Sequence, residues 1–279
     1  MSADLDLMRL RPPGAVPFSL VLDRRDRRIA AVLRERAVWE LPETLLCLRT
    51  LRPGMHVVDA GAHVGYYSVL FSQRVGPSGS VRAFEPEPDN FRLLLANLLL
   101  NDCRNVQTHA FALAERRGDA TLHLSPDNLG DHRLAATPGR AQVEVATIDL
   151  DAVLAGSAVD FVKIDTQGAE PRVLAGMAAT IADNRERLAV LMEFAPGLLA
   201  QAGTAVAAFA AQLDALDARV YAIEMRDRNL SLRRLAPLDV QLAALAQEMA
   251  RSGEIDASRD LFVVFGAAAE RDWLARFRG

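Results

Sequence analysis

Two acids and two glycines stand where ligand chemistry can be built. Asp59, Gly61 and Gly65 occur in VVDAGAHVG (residues 57–65), and Glu85 follows in AFEP (residues 83–86). Open α/β sheets bind ligands beyond the carboxyl ends of their strands. The first run ends an apolar, strand-like stretch with the spacing D-x-G-x-x-x-G. A nicotinamide fingerprint, G-x-G-x-x-G, would need glycines at 61, 63 and 66, but His63 and Tyr66 hold the last two places. A carboxylate just inside the first glycine can reach the ammonium end of an amino-acid-like ligand. The glycines, lacking Cβ, let the backbone come close to it. An acid at the next strand end commonly accepts both hydroxyls of a ribose. Together the four residues describe a site for a nucleoside joined to an amino acid rather than to phosphates, and S-adenosylmethionine is such a molecule. Taken singly, each piece also reads as a strand–turn–helix with solvated acids.

These residues need a sheet to hold them in register. Short apolar runs at 56–60, 81–84, 106–109, 159–164, 188–193, 219–223 and 261–265 predict strands. Helical patterns at 64–75, 89–101, 171–182 and 205–216 separate them. Val/Ile/Leu-rich strands alternating with helices imply a parallel sheet covered on both faces. Residues 120–124 and 142–146 alternate like an antiparallel hairpin, joined by the polar stretch 125–140, an insertion of the kind that is usually functional. Upstream, residues 1–20 are expected to be irregular, broken by Pro12, Pro13, Gly14 and Pro17. The charged segment 23–35 and a helix over 42–51 are expected to form a cap. The domain division read from this is a cap over 1–52 and a main domain over 53–279.

Composition bounds the alternatives. The 279 residues carry a net charge of −4, with no basic field for nucleic acid or anionic membrane. Lys163 is the only lysine. Cys47 and Cys103 are too far apart in sequence for a CxxC pair, which argues against a disulfide scaffold or cysteine zinc site and fits a reducing cytosol. The acidic start lacks the pattern of a signal peptide. The apolar stretch 198–213 is interrupted by Gln201, Gly203, Thr204 and Gln212 and falls short of a membrane span. The expectation is a soluble, cytoplasmic protein acting on a small molecule, with neither nucleic acid nor membrane as partner and a homodimer left open.

The order of motifs resembles the FkbM-type methyltransferases, a branch of the class I S-adenosylmethionine-dependent enzymes. The matching pieces are Trp39-Glu40, VVDAGAHVGYYS (57–68), AFEPEPDNFRLLLANLLLN (83–101), DNLGDHR (127–133), VATIDLDAVL (145–154) and VKIDTQGAEPRVLAGM (162–177). The resemblance runs from about 39 to 265, where LFVVF matches the family's closing strand. His63 departs from the usual asparagine, and Gln167 from a common glutamate. The resemblance implies a Rossmann-like α/β fold: a mostly parallel seven-stranded sheet with an antiparallel last strand, an N-terminal helical cap and a β-hairpin insertion. It implies S-adenosylmethionine as cofactor, held by Glu40, Asp59, Gly61, Ala62, Gly65, Tyr66, Glu85, Ala112 and Asp165, with adenine near Phe111 and Ala112. Asn128, Arg133 and Gln167 are expected toward the substrate, and His132 and Asp165 as catalytic groups.

Each role has an ordinary structural alternative. His132 has a ring pKa suited to a general base for a hydroxyl, though a loop histidine is often only surface. Asp165 ends a strand and points to the crevice, or else serves the turn Thr166-Gln167-Gly168 as a helix N-terminal acid. Arg133 could bind an acidic substrate group or pair with Asp131, and Glu40 could close over the methionine end or be a surface acid. Tyr66 and Tyr67 are expected to divide between pocket and core. No metal set is visible, the minor alternative being Asp165 with Glu193 around Mg²⁺. The leading expectation is an O-methyltransferase for a natural-product or sugar hydroxyl. N-methylation of an amine, or a non-catalytic module that binds S-adenosylmethionine, are the alternatives.

Overall fold

A computed structural model describes residues 5–227 and 229–278. An antiparallel pair, β1 (Leu5–Leu10) and β2 (Phe18–Asp23), is followed by α1 (Ile29–Arg36) and α2 (Leu41–Thr50). Then come β3 (His56–Ala60), α3 (Tyr66–Val75), β4 (Ser80–Phe84), α4 (Pro88–Leu100) and β5 (Val106–His109). The insertion holds β6 (Ala112–Leu113), β7 (Gly118–Leu124) and β8 (Ala141–Ile148), which form a three-stranded sheet of their own. The chain continues through α5 (Leu150–Leu154), β9 (Phe161–Ile164), α6 (Glu170–Ala175), α7 (Ala178–Asp183), β10 (Ala189–Phe194), α8 (Pro196–Gln201) and α9 (Val206–Ala215). It closes with β11 (Arg219–Arg226), β12 (Asn229–Arg234), α10 (Leu238–Ala250), β13 (Arg259–Val264) and α11 (Ala267–Arg278).

The main sheet runs β12-β11-β13-β10-β9-β3-β4-β5. All seven expected strands pair in it, and β5, β4, β3, β9 and β10 are mutually parallel while β13 is antiparallel to β10. An eighth strand, β12, adds to the edge through a hairpin with β11. From β3 the chain moves outward to β4 and β5, then returns to β9 on the other side. That reversal opens a crevice at the carboxyl ends of β3 and β9, where ligands of such sheets lie. Apolar residues successive along a strand face opposite layers: Val57, Phe71, Phe161, Phe262 and Trp273 share one core, and Val58, Ile164, Val190, Phe209 and Val263 the other.

The amino-terminal segment is more regular than its prolines suggest. Residues 1–4 of the stretch expected to be irregular lie outside the described residues, but 5–23 form the β1–β2 hairpin, whose connection contains Pro12, Pro13 and Gly14. Here the breakers make the turn and leave the strands intact. Asn97 on α4 and Asn101, which caps its carboxyl end, hold β2 by its backbone. Asn97 Oδ1 accepts from Val21 N at 2.6 Å while Asn97 Nδ2 donates to Val21 O at 3.0 Å. Asn101 repeats this double bond with Ser19 at 3.0 and 2.7 Å. The cap is therefore a hairpin plus two helices rather than helical alone. Its Leu10, Phe18, Leu20 and Leu33 lie in the same buried cluster as Val57.

The helix expected over 171–182 is two helices, broken at Gly176 and Met177. A Cβ at Gly176 would lie 2.0 Å from Ala114 O, so the break lets the insertion's backbone pass against the helix. Among the described residues no helix is long and apolar enough to cross a membrane.

Candidate active site

The crevice is a cavity of about 370 Å³. Its floor is a row of strand ends: Asp59 from β3, Phe84 and Glu85 from β4, Lys163 and Asp165 from β9, and Glu193 from β10. Glu40, Ala62, Tyr66, Ala112, Asn128, His132 and Gln167 also line it, so the cavity gathers most of the residues singled out in the sequence. Gly61 is present too, whereas Gly65 and Arg133 are not among its walls. The roof comes from the cap, with Leu20, Ile29, Leu33 and Trp39, and from the insertion, with Leu122, Leu129, Gly130 and Leu134. Cap and insertion meet where Arg27 N donates to Asp127 O at 2.9 Å. Beside this bond, a Cβ at Gly130 would come within 2.5 Å of Ile29 Cδ1.

The glycine loop is built for the protein's own packing. Gly61 has φ +83°, and a Cβ there would lie 1.9 Å from Asp165 O. Gly65 has φ +95°, and its missing Cβ faces Leu94 Cδ1 at 2.8 Å. These glycines let β3 approach the β9 end and α3 approach α4. His63, also at positive φ (50°), donates its backbone N–H to Glu85 Oε2 at 2.8 Å. Glu87 N donates to the other oxygen of Glu85 at 2.9 Å, so the loop and the start of α4 aim that carboxylate.

Burial dominates the electrostatics. It raises the Glu85 carboxyl to about 8 despite the two backbone hydrogen bonds, and Asp59 to about 6 although Lys163 and the Ser68 hydroxyl, 2.6 Å away, oppose it. Glu40, which accepts from Tyr67 OH at 2.9 Å, rises to about 7, again through burial first, with Asp165 adding and Lys163 opposing. Asp165 goes the other way. Burial alone would raise it, but the Lys163 ammonium at 2.8 Å and the Gln167 amide at 2.8 Å hold it below the usual carboxylate range. Gln167 Nε2 also donates to Glu193 Oε2 at 3.0 Å. Lys163 is thus the buried cation of the cavity that sequence reasoning passed over; its signal was its solitude as the chain's one lysine.

Two expected roles in the insertion need correction. His132 Nδ1 accepts from Ser125 N at 3.0 Å, so the ring proton sits on Nε2 and the second nitrogen is a donor. Burial, with Arg140 nearby, lowers its pKa to about 4. A ring tied in that way is not placed to accept a substrate proton. Arg133 is only 4% exposed, is paired with Asp131 at 2.5 Å and donates to Gln201 at 2.9 Å, so it braces the insertion instead of facing a substrate. Two other cavity atoms, His63 Nε2 and Asn128 Oδ1, are buried with no hydrogen-bond partner among the described residues, an arrangement that calls for a ligand or ordered water. For the Asp165–Glu193 alternative, Lys163 and Gln167 already engage Asp165. Among the described residues no three His, Cys, Asp or Glu side chains converge to hold a metal ion.

A family model described as the Methyltransferase FkbM domain matches residues 59–234, well over half of the chain. The chain is 31% identical over 160 residues to the 31-O-demethyl-FK506 methyltransferase FkbM of Streptomyces tacrolimicus, covering 46% of this chain and 61% of that protein. It is 32% identical over 80 residues to the protein-L-isoaspartate O-methyltransferase of Triticum aestivum, covering 29% of this chain and 31% of that one. The chain spans about a third to three fifths of the length of the curated relatives it matches. Among solved structures, the methyltransferase FkbM from Methylobacillus flagellatus KT superposes with a TM-score of 0.44 at 14% identity, covering 84% of this chain and 52% of that one.

Proposed function

The chain belongs to the FkbM methyltransferase family, within the S-adenosylmethionine-dependent enzymes, and from that premise we propose that it methylates a hydroxyl oxygen of a small molecule. The observation that carries the reading is the pair of acids at adjacent strand ends, Asp59 and Glu85, inside a cavity at the sheet's reversal point. The residues present fit the cofactor. Asp59 and Glu40 suit an ammonium, Glu85 suits a diol, and the partnerless His63 Nε2 offers a further hydrogen bond. Phe111 and Ala112 supply an apolar wall for adenine. When bound, the cofactor supplies an electrophilic methyl group on sulfur.

The chain's own contribution is alignment. Glu85 is aimed by the His63 and Glu87 amides, Asp59 by Ser68, and Asp165 by Lys163 and Gln167, so each carboxylate is fixed before a ligand arrives. Residues 1–52 act as the cap, which with the insertion roofs the acceptor side in apolar side chains. Oxygen as the methylated atom is supported by the names of the FK506 and isoaspartate relatives. An amine acceptor is the second reading, favoured by the excess of lining carboxylates over the single Lys163 ammonium.

Calorimetry with S-adenosylmethionine, S-adenosylhomocysteine and NAD tests the cofactor. Binding of the first two and not of NAD is expected, and tight NAD binding that competes with S-adenosylhomocysteine would overturn the reading. S-adenosylhomocysteine release with alcohol and amine acceptors then separates oxygen from nitrogen.

A further inference from the structure

A hydroxyl attacks well only if its proton leaves as the new bond forms, and the two groups first expected to take that proton are engaged elsewhere. His132 presents a donor, and Asp165 has both oxygens occupied, Oδ2 by Lys163 Nζ and Oδ1 by Gln167 Nε2, each at 2.8 Å. Glu193 differs from both. It ends β10 and lines the cavity, and its Oε2 accepts from Gln167 Nε2 at 3.0 Å. Among the described residues no arginine or lysine forms an ion pair with it. Its partner across the β10–β13 ladder is Asp260, a like charge. We infer that Glu193 is the group that receives the acceptor's proton, with Gln167 as the residue that positions it.

This inference rests on the methyl-transfer reading above. In the step, with Glu193 ionised, the acceptor oxygen gains the methyl group and its proton passes to a Glu193 oxygen. The electron pair of the broken bond stays on the donor's sulfur. One positive and one negative charge are lost together, so the cavity ends the reaction no more charged than before.

The environment supports the assignment. Around Glu193 stand Asp165 from β9, Glu170 at the start of α6 and Asp260 from β13, with Ser258 opposing them. Burial first, then these three acids, push its carboxyl well above the usual range. Asp165, one strand away, is held down by Lys163. Two neighbouring carboxyls driven apart by one lysine make the unpaired member the stronger base. Gln167 suits this arrangement because its amide donates to both carboxylates at once; a glutamate there would add a third negative charge.

The test compares wild type, Glu193→Gln and Glu193→Asp for S-adenosylhomocysteine release from a panel of aliphatic alcohols and phenols across pH. Cofactor affinity is measured separately by calorimetry. Glu193→Gln should keep cofactor affinity within about two-fold and lose ~10²–10⁴-fold in kcat on aliphatic alcohols. The loss should be smaller for phenols, whose protons leave near pKa ~10. Glu193→Asp should restore part of the rate. Infrared difference spectra of the unliganded protein should show a carboxyl band, absent from Glu193→Gln, that titrates above the ordinary carboxylate range. Unchanged kcat in Glu193→Gln, an equal loss on alcohols and phenols, or loss of cofactor binding would each overturn the inference while leaving methyl transfer intact. If the wild type binds cofactor but releases no product with any acceptor, the methyl-transfer reading falls and this inference with it.

Discussion

Lys163 Nζ lies 2.8 Å from Asp165 Oδ2 and 4.5 Å from the centroid of the Tyr67 ring. Its side chain is 4% exposed, and Glu40, Asp59 and Asp260 also act on it. One buried ammonium therefore balances a ring of acids. Lys163→Met should lower stability by ~3–5 kcal/mol, because it strands buried carboxylates without a cation. Adding Asp165→Asn should recover part of the loss. Urea midpoints of the single and double variants decide it, and an unchanged midpoint for Lys163→Met would show that the pair contributes nothing.

The unliganded protein should lose stability as pH rises from about 4.5 toward about 8. Glu85 is raised from 4.5 to about 8 and Asp59 from 3.8 to about 6. A carboxyl with a raised folded pKa contributes fully below its unfolded value, and that contribution disappears as pH climbs through the folded value. Asp165, whose folded pKa is lowered, has the opposite sign, but its contribution is lost only as pH falls below that window; His132, lowered to about 4, offsets part of the fall up to about 6.5, so the slope is read from about 6.5 to about 8. Glu85→Gln should flatten the slope and weaken cofactor binding by roughly 10–100-fold, the worth of a hydrogen bond to a charged group. Denaturant midpoints across the range check the sign, and a rise in stability through the window would contradict it.

His132 should stay neutral to about pH 4, with its proton on Nε2. Nitrogen NMR of the labelled ring reads both the tautomer and the titration. If the ring titrates near its ordinary value, or carries its proton on Nδ1, the corrected role for His132 is wrong.

Gly61→Ala and Gly203→Ala form a matched pair. Both glycines have positive φ, +83° and +86°, but a Cβ at Gly203 meets nothing within 4 Å whereas one at Gly61 strikes Asp165 O. Gly203→Ala should cost ~1–2 kcal/mol, the left-handed backbone penalty alone. Gly61→Ala should cost clearly more, since the β3–β9 junction must shift. Equal losses in thermal unfolding would mean that the close approach is not a constraint.

The cavity floor was legible because Asp59 and Glu85 each follow an uninterrupted apolar run, and buried parallel strands write themselves as such runs. The family motifs carried Glu40, Asn128 and Gln167 to the same cavity. Strand β12 was not legible. Its sequence, NLSLRR, is an edge strand with arginines outward, and edges need no continuous apolar run. Pro12, Pro13 and Gly14 read as breakers because proline and glycine look alike in a coil and in a turn. His132 was misjudged for a different reason: a ring's role depends on which nitrogen its neighbours occupy, and Ser125 N is invisible in the motif DNLGDHR.

The roof over the cavity has a consequence for the order in which the molecule assembles. The Arg27–Asp127 bond and the Ile29–Gly130 contact span about as much chain as the β3–β9 pairing, but each is a single contact, whereas the floor is held by a continuous ladder of paired strands. A closure rewarded by few contacts comes late, because the cost of ordering its loop is repaid only by them. The same sparse contacts make the roof the part that can come apart while the strands stay paired. In native-state hydrogen exchange the Arg27 amide would then open at far lower free energy than those of β3 and β9. The chamber can be breached and resealed over a floor that never unfolds.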